Sequence, residues 1–214
     1  MKRACEPELL DSLPFDDPDA AHNRRDLRLI NRFMRNEAWF ARVLPALLQP
    51  GERVLELGAG TGEMGRRLIN QGIALDGLDL WPRPAAWPQG RLWHQKDLRT
   101  FSGYDPYTAV VANLILHQFT DAELGRLGAR IRGSARVVLA CEPLRRRISQ
   151  GFIAALAPVF GANHVTRHDA RVSIAAGFVG DELPAALGMA EGEWSYSCSV
   201  TALGALRMVA VRTT

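Results

Sequence analysis

The chain has 214 residues, 47% of them hydrophobic, with a formal net charge of +3 and three cysteines. That length suits one large α/β domain with a sizeable core; no apolar run approaches the roughly 18 residues of a membrane span, and residues 1–19 hold several acids without the apolar stretch of a secretory signal. Cys5, Cys141 and Cys198 are scattered and odd in number, which fits a reduced, cytoplasmic setting, and a mild positive charge carried by Arg everywhere but Lys2 and Lys96 admits an anionic substrate without the dense basic patch of a nucleic-acid binder.

Residues 1–20 read as a loose tail. Glu6, Glu8, Asp11, Asp16, Asp17 and Asp19 alternate there with Pro7, Pro14 and Pro18, which disfavours helix. From His22 apolar residues recur near helical spacing (Leu27, Ile30, Met34, Trp39, Val43, Leu47). They predict one helix over 21–35 and another over 37–48, closed by Pro50-Gly51. Arg24, Arg25, Arg28, Arg32 and Arg35 share a face of the first helix. That face is either solvated, or it brings Arg28 or Arg32, with Asn31, to a substrate mouth.

Residues 53–57 form an apolar run of strand length that ends abruptly in Gly58-Ala59-Gly60-Thr61-Gly62. A helix-compatible segment follows over 63–69. Strand, glycine turn and helix make the first unit of an α/β nucleotide-binding sheet. Glu56 stands two positions before the first glycine, a poor neighbour for a pyrophosphate and a good one for a cationic group. The string Gly60-Thr61-Gly62-Glu63-Met64-Gly65 also satisfies the dinucleotide pattern G-x-G-x-x-G, but it begins inside the turn and not at the strand end. Residues 73–79 read as a second strand ending in Asp79, placed to accept hydrogen bonds from ribose hydroxyls. Leu80 and Trp81 come next. A short third strand over 91–94 leads to Asp97 and Leu98, an acid for an adenine amino group and an apolar partner for its ring.

A fourth strand over 107–112 ends at Asn113, with His117 four residues on. Thr120 and Glu123 form a capping box for the next helix. A fifth strand over 136–143 carries Glu142 at its tip, where it meets substrate or caps the following segment. Residues 144–179 read as a cap-like insertion with an apolar helix-like stretch over 148–160 and a polar segment over 164–171. A short helix opens at 181–184. Two strand-like runs, 194–201 and 206–211, joined by a short turn, make an antiparallel terminal pair.

The order of these features resembles the class I S-adenosylmethionine-dependent methyltransferases. Residues 56–62 resemble their glycine-rich motif, Asp79 the acid that ends strand two, Asp97-Leu98 the adenine-side motif, and residues 110–119 the fourth strand and its exit. The resemblance spans roughly 50–142 and extends through the terminal strands. It implies a three-layer Rossmann-like α/β sandwich with N-terminal helices. Its sheet has seven strands in the order 3-2-1-4-5-7-6, mostly parallel, with strand 7 antiparallel. It also implies a tail and helical lid over 1–49 and a cofactor-binding domain over 50–214. The implied cofactor is S-adenosyl-L-methionine, with S-adenosyl-L-homocysteine as product, held by Glu56, Gly58, Ala59, Gly60, Gly62, Asp79, Leu80, Asp97, Leu98 and Asn113. Residues 23–32 resemble an opening seen in small-molecule methyltransferases that act on aromatic polyketides and quinone-like phenols.

The implied reaction is in-line transfer of a methyl group to a small aromatic, polyketide or quinone-like acceptor, on a phenolic oxygen and without a metal. His117 is the first candidate for the base and His168, beside Asp169, the second; a structural role for either stays open. Phe152, with Ile153, Leu156 and Phe160, forms either core or the roof of the acceptor chamber, backed by Trp39 and Phe33. Arg32 and Arg171 are candidates to steer an anionic oxygen. The alternatives are an RNA- or protein-modifying methyltransferase and a non-catalytic cofactor-binding module. Against the first, the chain has Asn113-Leu114-Ile115-Leu116 where exocyclic-amine DNA and RNA enzymes often carry an Asn-Pro-Pro-Tyr or Asp-Pro-Pro-Tyr type motif. No nucleic-acid partner is expected, and a homodimer is compatible with the sequence.

Overall fold

The computed structural model describes residues 2–14, 16–146 and 161–213. In chain order these form α1 (Pro18–Met34), α2 (Asn36–Val43), β1 (Arg53–Leu57), α3 (Glu63–Ile69), β2 (Ala74–Asp79), β3 (Trp93–Gln95), β4 (Ala109–Asn113), α4 (Asp121–Ser134), β5 (Val137–Pro143), α5 (His164–Ala176), α6 (Glu182–Ala186), β6 (Trp194–Val200) and β7 (Ala205–Arg212). The strands make one sheet in the order β3-β2-β1-β4-β5-β7-β6. The first five are parallel, and β7 runs antiparallel to both β5 and β6. This is the architecture and strand order that the resemblance implies.

The central strands are apolar on both faces because helices cover both. Alternate residues serve opposite sides. Leu55, Leu57, Val110 and Ala112 pack with Leu124 and Ile131 of α4, while Val54 and Val111 pack with Phe40 of α2 and Leu68 of α3. The chain winds away from β1 in both directions, with β2 on one side and β4 on the other. A crevice opens at that reversal, outside the carboxyl ends of the strands.

The N-terminal region departs from expectation. α1 starts at Pro18 because Asp17 caps it: its carboxylate accepts the N–H groups of Asp19 and Ala20 at 2.8 and 3.3 Å. Such a cap contributes about 1 kcal/mol, and proline suits the first helical position. α2 gives way to a 3-10 turn at Leu44–Ala46, where Pro45 cannot continue the ladder. Residues 2–14 are not a loose tail. They form a strap: Arg3 donates to the carbonyls of His117, Phe119 and Ala176, and the N–H groups of Leu9 and Leu10 donate to Asp169. Leu10 of the strap is buried against Ala20 and Val165.

The polar segment over 164–171 is the first half of α5, capped by Asn163, whose side chain accepts the Thr166 N–H at 2.9 Å. The capping box of α4 forms as read from the sequence. The helix-like stretch over 148–160, with Phe152, Ile153, Leu156 and Phe160, lies outside the described residues.

Candidate functional site

A cavity of about 860 Å³ occupies the crevice, lined by the ends of β1, β2 and β4, by α1, by α5 and by the strap. That volume is in the range of small-molecule sites, roughly 300–1,000 Å³.

At one end the glycine turn folds onto the tip of β2. The Gly58 and Ala59 N–H groups donate to the Leu78 carbonyl at 2.9 and 3.2 Å, and the Gly60 N–H donates to Asp79 Oδ2 at 2.7 Å. Asp79 Oδ1 accepts the Trp81 N–H at 2.8 Å. Burial raises the Asp79 pKa above its ordinary value, and these backbone donors pull it back in part. Gly58 needs its hydrogen side chain twice over. Its φ is +63°, and a Cβ there would stand 2.5 Å from Ile115 Cγ1.

Glu56 is the penultimate residue of β1, beneath this turn. It is 3% exposed, and its Oε2 has no hydrogen-bond partner. Burial, and then the charges of Asp79 and Glu37, push its pKa up to about 8. A buried carboxylate in that condition favours a cationic neighbour. Leu80, Asp97 and Leu98 line the same end of the cavity. Leu80 is 58% exposed, an apolar side chain open to a planar partner. Asp97 Oδ1 accepts the Arg99 N–H at 2.7 Å.

The exit of β4 joins the two ends. The Asn113 amide donates to Asn31 Oδ1 of α1 at 3.1 Å, leaving Asn113 Oδ1 without a partner. Leu114 follows with a φ of +56°, unusual for a residue with a branched side chain. A 3-10 turn, Leu116–Gln118, then presents His117.

At the other end His117 is 3% exposed and held between two carboxylates. Its Nδ1 is 2.7 Å from Glu142 Oε2, and its Nε2 is 3.2 Å from Glu8 Oε1 on the strap. Burial alone would lower the imidazole pKa; the hydrogen bonds and charges of Glu142 and Glu8 outweigh it and lift the ring to about 9. Glu142 is fully buried and accepts the N–H groups of Ile115, Leu116 and His117 as well.

Of the residues singled out from the sequence, Glu56, Gly58, Ala59, Gly60, Asp79, Leu80, Asp97, Leu98, Asn113 and His117 line the cavity. Gly62 sits just behind the turn, its φ +72° and its open face against Trp87. His168, Arg32 and Arg171 are not among the lining residues. His168 Nδ1 lies 3.0 Å from Asp169 Oδ1, beside the strap. Trp39 packs in the core against the sheet, and Phe33 is exposed; neither backs the chamber. Sequence reading missed Glu8, Gln118 and Ser173.

No protein-family model matches the chain, and no curated protein matches it. Solved structures do. The plantazolicin methyltransferase BpumL, solved in complex with SAH, is similar at a TM-score of 0.71 over 94% of this chain and 92% of its own, with 13% sequence identity. The plantazolicin methyltransferase BamL, in complex with a triazolic desmethylPZN analog and SAH, gives 0.73 over 96% and 93% at 10% identity. The pyocyanin biosynthetic protein PhzM gives 0.58 over 92% of this chain and 60% of its own at 18% identity. At these identities the likeness is one of architecture: the chain has the fold of the class I S-adenosylmethionine-dependent methyltransferases.

Proposed function

We propose that the protein transfers a methyl group from S-adenosyl-L-methionine to a small aromatic, polyketide-like or quinone-like acceptor, on a phenolic oxygen. Glu56 carries the cofactor reading. Its buried Oε2, without a donor, lies beside a glycine turn and an acid-tipped second strand. An ammonium group favours the ionised form of that carboxyl and pairs with it, whereas a pyrophosphate would oppose its ionisation. In this reading Glu56 meets the amino-acid end, directly or through water. Gly58 to Gly62 allow close backbone approach, and Asp79 takes the ribose hydroxyls. Leu80, Asp97 and Leu98 flank the adenine, and Asn113 faces the junction with the acceptor. The bound cofactor would supply an electrophilic methyl group with a neutral leaving group. Residues 1–49 act as the lid over the 50–214 body.

The chain's own task is to position the acceptor, exclude water and handle one proton. Positioning contributes up to about 7–11 kcal/mol of barrier lowering, and a base about 10²–10⁴-fold. With Glu8 in place, both His117 ring nitrogens are engaged and the ring keeps its proton. His117 in that state acts on the acceptor as a hydrogen-bond donor through Nε2, and not as the base that takes its proton.

Calorimetry with S-adenosylhomocysteine should show binding, and Asp79→Ala should weaken it by at least about 100-fold, the cost of two hydrogen bonds to a charged group. Unchanged affinity in the variant removes the ribose assignment, and absence of binding to the wild type sinks the proposal. Incubation with S-adenosylmethionine and a panel of phenols and quinols, read by mass, tests transfer; cofactor binding with no methylated product on any of them would leave a non-catalytic binder.

A further inference from the structure

Three donors from the body of the protein converge on one carboxylate of the strap. His117 Nε2 lies 3.2 Å from Glu8 Oε1, Ser173 Oγ donates to the same oxygen, and Gln118 Nε2 donates to Glu8 Oε2 at 2.9 Å. His117 and Gln118 sit on the turn after β4, and Ser173 sits on α5. Of the three side chains, the imidazole also has an anchor other than Glu8. Glu142 locks the imidazole from behind through Nδ1, and the two carboxylates keep the ring protonated, so that Nε2 donates into the cavity. The three donors are thus carried by the folded body, while their occupant arrives on a segment that precedes α1.

The strap holds that occupant against electrostatic pressure. Asp11 is on the strap, and Asp169 lies beside it, accepting from Leu9 and Leu10. Partial burial, and then the charges of Glu8 and Asp169, raise the Asp11 pKa to about 6. Glu8 itself stays below the ordinary carboxylate value, because the donors from His117, Ser173 and Gln118 outweigh its burial. The three donors therefore select an anion at a place where the surrounding side chains disfavour one.

We propose that His117 Nε2, Gln118 Nε2 and Ser173 Oγ form an anion subsite for a carboxylate on the methyl acceptor, with Glu8 as the resident ligand that the acceptor displaces. The subsite stands on its own geometry; naming its ligand as the acceptor rests on the transfer reading above. An acceptor without the carboxylate would move Glu8 aside and leave a buried imidazolium with one partner. Sites built to pair a polar group reject analogues that lack it far more strongly than sites that only measure size.

Benzoate is the probe and benzamide its neutral counterpart, titrated into the full-length protein with the His117 ring followed by nitrogen-15 NMR. In Glu8→Ala, benzoate should give a saturable shift, at least about tenfold tighter than in the wild type, where Glu8 competes. Adding Ser173→Ala or Gln118→Ala should weaken it by about tenfold. No saturable shift, or benzamide binding as well as benzoate, overturns the proposal. If Glu8→Ala does not fold, Glu8→Gln keeps the shape without the charge, and benzoate must still bind it more tightly than the wild type or the proposal falls. S-adenosylhomocysteine calorimetry on the same samples separates the two readings. Cofactor binding without benzoate binding removes the anion subsite alone, and benzoate binding without cofactor binding removes the methyl-transfer reading alone.

Discussion

At the end of the cavity proposed for the cofactor, the polar groups come from residues 56–98, within successive strand–turn units. At the end proposed for the acceptor they come from residues 8, 117, 118, 142 and 173, brought together from the strap, two strand exits and a helix. The cofactor end is a property of local backbone: glycines with positive φ and an acid one strand away fix where a carboxylate stands. The acceptor end is a property of tertiary assembly, in which the protonation of His117 and Glu8 depends on partners far away in the chain. The first end should therefore tolerate damage at the second, and the predictions below probe that separation.

The largest effect is expected at Glu142. Glu142→Gln removes the buried charge opposite His117 and weakens the cap on the turn that presents it. Breaking one partner of a buried ion pair costs about 3–5 kcal/mol, to be read from urea unfolding. The pH dependence supplies a second readout. The His117 pKa is raised to about 9 in the folded state. Its stabilising contribution is thus complete below the ordinary value near 6.5 and is lost as pH rises through about 9. In Glu142→Gln that loss should move to lower pH. Affinity for S-adenosylhomocysteine should stay nearly unchanged; a large drop would mean that the two ends are one coupled unit.

Gly58→Ala attacks the junction from the cofactor side. Alanine would have to hold the φ of +63°, which is strained for a residue with a Cβ, and its methyl group collides with Ile115. Overpacking of this kind costs about 1–3 kcal/mol. Ile115 donates its N–H to Glu142, so the push reaches the His117 turn. The expected result is weaker S-adenosylhomocysteine binding together with a shifted His117 ring signal. A variant that loses cofactor affinity while His117 is undisturbed would show that the ends are more separate than their shared residue suggests.

This difference also sets what the sequence could reveal. The sheet was legible because β-branched and apolar runs of strand length alternate with glycine and proline turns, and the glycine turn, Asp79 and Asp97 follow from spacing along the chain. Glu142 was half legible: β4 and β5 are neighbours with Asn113 opposite Cys141, so an acid at position 142 falls beside the exit of β4. Its job of orienting His117 needed the turn geometry. α5 was read only as a polar segment because its buried positions include Thr166 and Asp169, which serve Asp26 and the strap and blur the apolar period. Glu8 left no signal. An acid in a proline-rich stretch looks solvated until a partner 109 residues away is placed against it.

The smallest effect is a proton count at the cofactor end, and it tests whether Glu56 alone senses the ligand. The Glu56 pKa of about 8 leaves its carboxyl mostly protonated at pH 7. Because the folded pKa lies above the ordinary value, Glu56 costs stability as pH rises from about 4.5 through 8. An ammonium group arriving beside Oε2 favours the ionised form and pulls that pKa back down. S-adenosylhomocysteine binding at pH 7 should then release about one proton, seen as a dependence of the calorimetric enthalpy on the ionisation enthalpy of the buffer. At pH 9.5 the release should vanish, since the carboxylate is already ionised there. Glu56→Gln should abolish it at pH 7 and weaken binding, while Glu8→Gln at the opposite end should leave the count unchanged. A release that persists in Glu56→Gln assigns the proton to another group, with Asp79, itself raised by burial, the nearest source.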